Sequence, residues 1–219
     1  MQLWELLSIR PGVTAFTGGG GKTTMMYTLA GELSARKTVL CCTTTRIWPP
    51  SHLPVLEQVD RMALERLRCV CAGVLTPEGK LAAPAQPVAE LAALADYVLV
   101  EADGSKGLPL KAHLPHEPVI PDEAGQTVVL VGASVFGRPA GEAVHRPEAF
   151  CQLTGLSPDA AVTPEAAAAL LNAEGLGDRV FVNQAETEPA LAAARRLAEL
   201  LDRPVCAGAL QRGEWICLS

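Results

Sequence analysis

Four consecutive glycines, Gly18 to Gly21, run directly into Lys22, Thr23 and Thr24 in the stretch FTGGGGKTT. Such a run is either a flexible linker or a loop shaped to hold phosphate, and its flanks decide between them. Upstream, GVTAFT is a short β-branched and aromatic segment with the character of a strand. Downstream, KTTMMYTLAGELSARK sets Met25, Leu29 and Leu33 at four-residue spacing, which predicts an amphipathic helix. A strand, a glycine turn and a helix opening on Gly-Lys-Thr are the parts of a phosphate-binding loop. In that reading the backbone N–H groups of Gly18, Gly19, Gly20 and Gly21 and the helix N-terminus point at phosphate oxygens. Lys22 adds a point charge, the Thr23 hydroxyl ligates Mg²⁺, and Thr24 completes the set in the first helical turn.

The spacing narrows the type of loop. G-x-x-x-x-G-K-[ST] would need glycine where Phe16 stands. The shorter form T-G-x-x-G-K-T-T fits, and it resembles the phosphate loops of Mur-type ATP-dependent ligases. Against the G-K-G-G-x-G-K-T-T loops of dimeric P-loop ATPases, Thr17 stands where their extra lysine would be. No lysine is therefore expected to reach across a dimer from that position.

The rest of the chain alternates between the two periods. KTVLCCTTTRIWPP reads as a strand running into threonines and a proline stop, and DYVLVE and QTVVLVG as apolar strands. RVFVNQ and PVCAGAL are further strands, and EWICLS a last edge strand. Between them lie helices, among them TPEAAAALLNAEGLG, with Thr163 as N-cap, Pro164 at the first helical position and glycine at the end. CVCAGVLTPEGKLAAP reads as a small hairpin excursion about Pro-Glu-Gly-Lys. The expectation is a single P-loop NTPase-like α/β domain over residues 1–219, with a mostly parallel sheet and helices on both faces. Ligands in such sheets bind beyond the carboxyl ends of the strands. The polar stretches TGGGGKTT, TTTR, EADGSKG, GASVFGR and NQAE all fall at such ends.

Those stretches supply the candidate chemistry. Glu101 closes the strand YVLVE, and Asp103 follows two residues on; an acid at that place holds or orients the Mg²⁺ of a bound nucleotide. Lys106 and Lys111 come next and suit either phosphate, an anionic substrate or the solvated surface. Thr43, Thr44 and Thr45 lead to Arg46, a candidate for neutralising charge in the transition state. VFVNQAE is similar to the N-K-x-D element that reads guanine, with Asn183 kept, Gln184 in place of lysine and Glu186 in place of aspartate. Catalytic expectations therefore fall on Lys22, Glu101, Asp103 and Arg46, and metal ligation on Thr23, Glu101 and Asp103. Cofactor contacts are expected from the loop, Lys106, Asn183 and Glu186, with ATP or GTP and Mg²⁺ as cofactors.

Composition removes other classes. The net charge of −6 without a basic cluster argues against nucleic-acid binding. The apolar runs are too short to span a bilayer, and MQLWELLSIRPG lacks the layout of a signal peptide, so a cytoplasmic protein without membrane attachment is expected. Seven cysteines, an odd number with no C-x-x-C, read as buried reduced thiols rather than a disulfide framework. A thiol or metal role for Cys69 and Cys71 is the minor alternative. His113 and His116 lack further ligands at metal-binding spacing.

Taken together, FTGGGGKTT, TTTR, EADGSKGLPLKAH, the glycine-bearing Gly132 to Gly137 loop, HRPE from His145 to Glu148, and the altered N-K-x-D element resemble the YqeC family. Its members are described as accessory proteins of selenium-dependent molybdenum hydroxylases. The resemblance runs from about Thr14 to Glu186. It implies a P-loop protein acting in maturation of a selenium-containing molybdenum cofactor, with a molybdenum hydroxylase or a cofactor-handling protein as partner. It also implies phosphate and Mg²⁺ at Gly21, Lys22 and Thr23 beside a site formed by Glu101, Asp103 and Lys106. Two other functions stay open: a small-metabolite kinase or ligase-like phosphotransferase, and a nucleotide-gated switch that presents a protein partner with one of two surfaces.

Overall fold

The computed structural model describes residues 1–219. The chain is α/β, with nine strands in a mostly parallel sheet and helices around it, as the alternating periods predict. In chain order the strands are β1 (Gly12–Gly18), β2 (Val39–Thr43), β3 (Val55–Leu56), β4 (Cys69–Ala72), β5 (Tyr97–Glu101), β6 (Ala124–Gly132), β7 (Arg179–Asn183), β8 (Val205–Ala209) and β9 (Glu214–Cys217). The chain divides into two compact units.

The first unit comprises Met1–Phe16, Thr23–Gly104 and Val119–Thr127. Here β1, β5, β2, β4 and β3 pair in that order, every pair parallel. VLCCT and YVLVE are buried along their whole length, which is why they read as apolar runs rather than alternating ones. One core packs Leu40, Cys42, Val70, Val98 and Val100 against Leu64 and Leu91 of the helices Arg61–Leu67 and Val88–Leu94. Asp60 caps the first of these, accepting from the Ala63 N–H at 2.7 Å. The helix α1 (Lys22–Ser34) buries Met25, Leu29 and Leu33, the three residues its spacing singled out.

The hairpin excursion is present: Val74–Leu75 and Leu81–Ala82 pair antiparallel around Thr76–Lys80. The strand before it ends earlier than its β-branched residues suggest. β2 stops at Thr43, whose Oγ1 accepts the Thr45 N–H at 3.0 Å and turns the chain. Arg46–Ile47 then joins the hairpin as a third short strand against Leu81–Ala82. A threonine hydroxyl that bonds its own backbone two residues on competes with the ladder, and here it wins.

The second unit comprises Thr17–Lys22, Ser105–Pro118 and Val128–Ser219. β6 from Val128 onward, β7 and β8 pair parallel, and β9 closes the order antiparallel as the edge strand. Val129, Val131, Val180, Val182 and Val205 pack against Leu170, Leu171, Ala194 and Leu197 of two helices, Pro164–Glu174 and Glu188–Glu199. Thr163 caps the first by accepting from Ala166 N–H, Pro164 opens it, and Gly175 ends it at φ +61°. A separate two-stranded element pairs Leu110–Lys111 with Val144–His145.

Cys41, Cys42, Cys69, Cys71 and Cys206 are buried free thiols, as expected, but Cys151 is half-buried and Cys217 exposed. Cys217 departs because it lies on the edge strand β9, which keeps a wet face. Burial pushes Cys42 and Cys71 up to about 12, which keeps both protonated and unreactive at neutral pH. No helix is long and apolar enough to cross a membrane.

Candidate functional site

In the second unit, the loop after β1 is walled in by its neighbours. Gly19 N–H donates to Leu130 O at 2.9 Å and Gly20 N–H to Leu108 O at 3.1 Å, so these two groups bond neighbouring carbonyls instead of pointing at phosphate as the sequence suggests. Gly20 sits at φ +80° with its Cα against the backbone of Gly132, so any side chain would meet the Gly132 N–H. Gly21 sits at φ +126°, and a Cβ there would lie 2.5 Å from Asn183 Nδ2. Both positions need glycine twice over, for backbone angle and for space. This is the physical content of the four-glycine run.

Lys22 curls back over the loop. Its Nζ donates to Gly18 O at 2.5 Å and lies 3.3 Å from Ser105 Oγ, and the residue is only 4% exposed. A buried ammonium held by a loop carbonyl and a hydroxyl serves the loop, not the apolar core. Asn183, at the end of β7, is buried and braces the same loop: Nδ2 donates to Gly20 O at 2.8 Å, and Oδ1 accepts from Leu210 N–H at 3.1 Å. Its neighbour Gln184 lies at φ +63° and accepts from Ser134 Oγ at 2.7 Å, while Glu186 is exposed. Asn183 thus holds the loop rather than reaching outward.

The first unit holds the hydroxyl and the acid. Thr23, the residue after Lys22 in the chain, donates from Oγ1 to Glu101 Oε2 at 2.5 Å. Glu101 ends β5 in register with both Phe16 and Thr43, and Thr43 Oγ1 donates to its carbonyl at 2.8 Å. Asp103, two residues on, is buried. A threonine hydroxyl and a strand-end carboxylate in direct contact offer hard oxygen donors, a set that fits Mg²⁺. Thr24 follows in the first turn of α1, half-buried.

The remaining sequence candidates fall in different places. Arg46 is exposed on the short strand opposite Ala82, in the small sheet of the first unit. Lys106 is exposed, in a turn at φ +52°. The Lys111 side chain is fully buried and pairs with Glu117 at 3.3 Å, which removes the reading of it as a solvated surface charge. His113 is anchored by Glu174, whose carboxylate takes both its backbone N–H at 2.6 Å and its Nδ1 at 2.8 Å.

Sequence reasoning missed Ser105 and Leu210, which touch the lysine and Asn183, and it noted Gly132 only as the start of a glycine-bearing loop, not as the wall behind Gly20. Ser105 lies inside a stretch already singled out. Leu210 acts through its backbone N–H, which no residue type announces.

A strand, a walled glycine loop and a helix that carry Lys22 and Thr23, with Glu101 closing a parallel strand, define an α/β protein of P-loop NTPase-like fold. The family model described as YqeC protein matches residues 14–148. A relative, the uncharacterized protein YqeC of Escherichia coli (strain K12), is 34% identical over a region covering 69% of this chain and 64% of its own. The chain belongs to the YqeC family, and it spans somewhat under two thirds of that relative's length.

Proposed function

We propose that the chain binds a nucleoside triphosphate, ATP or GTP, with Mg²⁺, and uses its hydrolysis or phosphoryl transfer in the handling of a cofactor. The observation that carries this reading is the Thr23–Glu101 hydrogen bond, next in sequence to a lysine folded over a glycine loop. In this reading Lys22 exchanges the Gly18 carbonyl for phosphate oxygens, and the first-turn N–H groups of α1 face the same charge. Thr23 and Glu101, with Asp103 behind them, hold the Mg²⁺, which when bound neutralises phosphate charge. Asn183 and Ser105 keep the loop and the lysine in place. The wider role, maturation of a selenium-dependent molybdenum hydroxylase in the cytoplasm, rests on the resemblance of the motifs to that family's description. The partner would be that hydroxylase or a protein handling its cofactor.

Isothermal titration with Mg-ATP and Mg-GTP tests the reading at its base. One saturable site is expected for at least one of them, weakened about tenfold or more in Lys22→Ala. Absence of binding by the folded native chain would overturn it.

A further inference from the structure

The second unit carries His145, Lys111, Glu117 and Arg146 close together, outside the hydrogen bonds that hold the glycine loop. His145 ends the short strand Val144–His145, in register with Lys111, and its carbonyl accepts from Ala112 N–H at 3.0 Å. The residue is nine-tenths buried, and its Nδ1 has no hydrogen-bond partner. Buried polar nitrogens are almost always satisfied, so one that is not asks for a ligand. Arg146 follows at φ +70° as the N-cap of the helix Pro147–Thr154, and its side chain caps nothing there. Its Nε and Nη2 face Glu117 at 3.4 and 3.1 Å, and the side chain is 36% exposed, which leaves the Nη1 edge for a second acceptor. Lys106 is exposed in the Ser105–Leu108 turn, one residue after the serine against Lys22 Nζ.

We propose that His145, Arg146 and Lys106 form a binding site for the anionic group, phosphate or carboxylate, of a small-molecule second substrate. The site rests on the nucleotide reading only for what happens to that substrate; the capture of the anion does not depend on it. The Lys111–Glu117 pair is the buried support: Glu117 takes both Lys111 and Arg146 and fixes the guanidinium from behind. Support of that kind accounts for Lys111 and Glu117. It leaves the orphaned imidazole nitrogen and the exposed Lys106 without a role, and an oxyanion supplies one for both.

The electrostatics agree. Burial first, then the charges of Lys111, Arg146 and Lys106, push His145 below its ordinary value, with Glu117 opposing them. The imidazole is therefore neutral at physiological pH and, in its Nδ1–H tautomer, would donate to a bound oxyanion. Arg146 offers a planar edge and Lys106 a mobile point charge, the two donors that suit phosphate and carboxylate. The turn begins at Ser105, whose hydroxyl lies 3.3 Å from Lys22 Nζ, so Lys106 is one residue from a group that touches the lysine expected to hold the triphosphate.

The test follows the His145 ring nitrogens by NMR in the full isotope-labelled chain, titrated with inorganic phosphate and, separately, with acetate. The titrations are run twice: with the phosphate loop occupied by Mg²⁺ and a non-hydrolysable triphosphate, and in Lys22→Ala without nucleotide. A saturable shift of the His145 resonances in both settings, with its pKa rising on binding, is the expected result, and the anion that produces it identifies the source. Arg146→Gln and, separately, the exposed Lys106→Gln should each weaken the titration about tenfold or more. Mg-triphosphate affinity should stay within about twofold in Arg146→Gln. The proposal is overturned if neither anion moves His145, or if the shift survives unweakened in both variants. It is equally overturned if the shift vanishes in Lys22→Ala yet persists in Arg146→Gln, since phosphate would then be sitting in the loop. Failure of the nucleotide reading looks different: no triphosphate binding by the native chain, with the His145 titration intact.

Discussion

The side chain of Asn183 is clamped to the glycine loop, its Nδ2 donating to the Gly20 carbonyl at 2.8 Å while its Oδ1 takes the Leu210 N–H at 3.1 Å. Both ends of one amide therefore act on backbone. Asn183→Ala strands two buried backbone groups, each worth about 1–3 kcal/mol. The expected loss is about 2–6 kcal/mol of unfolding free energy by denaturant titration, with weaker nucleotide binding besides. A variant of native stability would show that the amide is not a brace.

Lys22→Ala should remove a charge-assisted contact worth about 1.5–3 kcal/mol, lowering Mg-triphosphate affinity about tenfold to a hundredfold or more. Circular dichroism should show the fold retained, because Lys22 bonds a loop carbonyl and a hydroxyl and is not part of the apolar core. Undiminished affinity in the folded variant would sink the phosphate-loop reading.

Glu101→Gln and Asp103→Asn should depress phosphate release by at least tenfold while changing nucleotide affinity less, since a carboxylate that orients the metal acts mainly on the transition state. Steady-state phosphate release set beside calorimetric affinity separates the two effects. Parent-rate turnover in both variants would reduce these acids to structural partners of Thr23 and its neighbours.

Base preference should be modest. Gln184 is engaged with Ser134 Oγ, and Glu186 stands exposed one methylene longer than the aspartate it replaces. GTP and ATP should differ by less than about tenfold in competition binding, under about 1.4 kcal/mol. A hundredfold GTP preference abolished by Glu186→Ala would contradict this.

Acid should weaken the fold in two stages. His145 is held below its ordinary 6.5 by burial and neighbouring cations, so as pH falls through 6.5 the unfolded chain takes up a proton that the folded chain refuses. Stability declines from there. Burial pulls the Glu117 carboxyl upward, but Arg146 and Lys111 outweigh it and hold it at about 2, against an ordinary 4.5. Its contribution is full above 4.5 and is lost as pH falls toward 2. Thermal melts across pH should flatten below 4.5 in Glu117→Gln. They should flatten just below 6.5 in His145→Gln. Parallel profiles for parent and variants would count against both assignments.

What the sequence made legible was whatever rests on local chemistry. Thr163, Pro164 and the closing glycine announce their helix because a cap and a terminator act within a few residues. Gly18 to Gly21 announce a loop for the same reason. The YVLVE strand and its closing acid are visible because burial on both faces leaves an unbroken apolar run. The partners of those elements were hidden. Gly132, Leu108 and Leu130 wall the loop through backbone atoms far along the chain, and any residue type can supply a carbonyl. TTTR was legible as a strand end, where the Thr43 hydroxyl turns the chain; that Arg46 then joins the sheet of the hairpin was not. The cluster around His145 was half seen, through Lys106 and Lys111. The histidine and arginine stood in a motif noted only for its likeness to a family.

The walls around the glycine loop bear on how fast a ligand is captured. Four glycines in a free linker would each surrender about 1–2 kcal/mol of backbone freedom on being ordered, and a ligand that ordered them would bind that much more weakly. Here Leu108, Leu130, Gly132 and Asn183 have already immobilised the segment during folding. The ordering penalty falls on the folding of the chain, where a whole core offsets it. On the nucleotide reading proposed above, an arriving phosphate would meet a segment already ordered, and its on-rate would be set by diffusion and by the release of Lys22 from its loop partners.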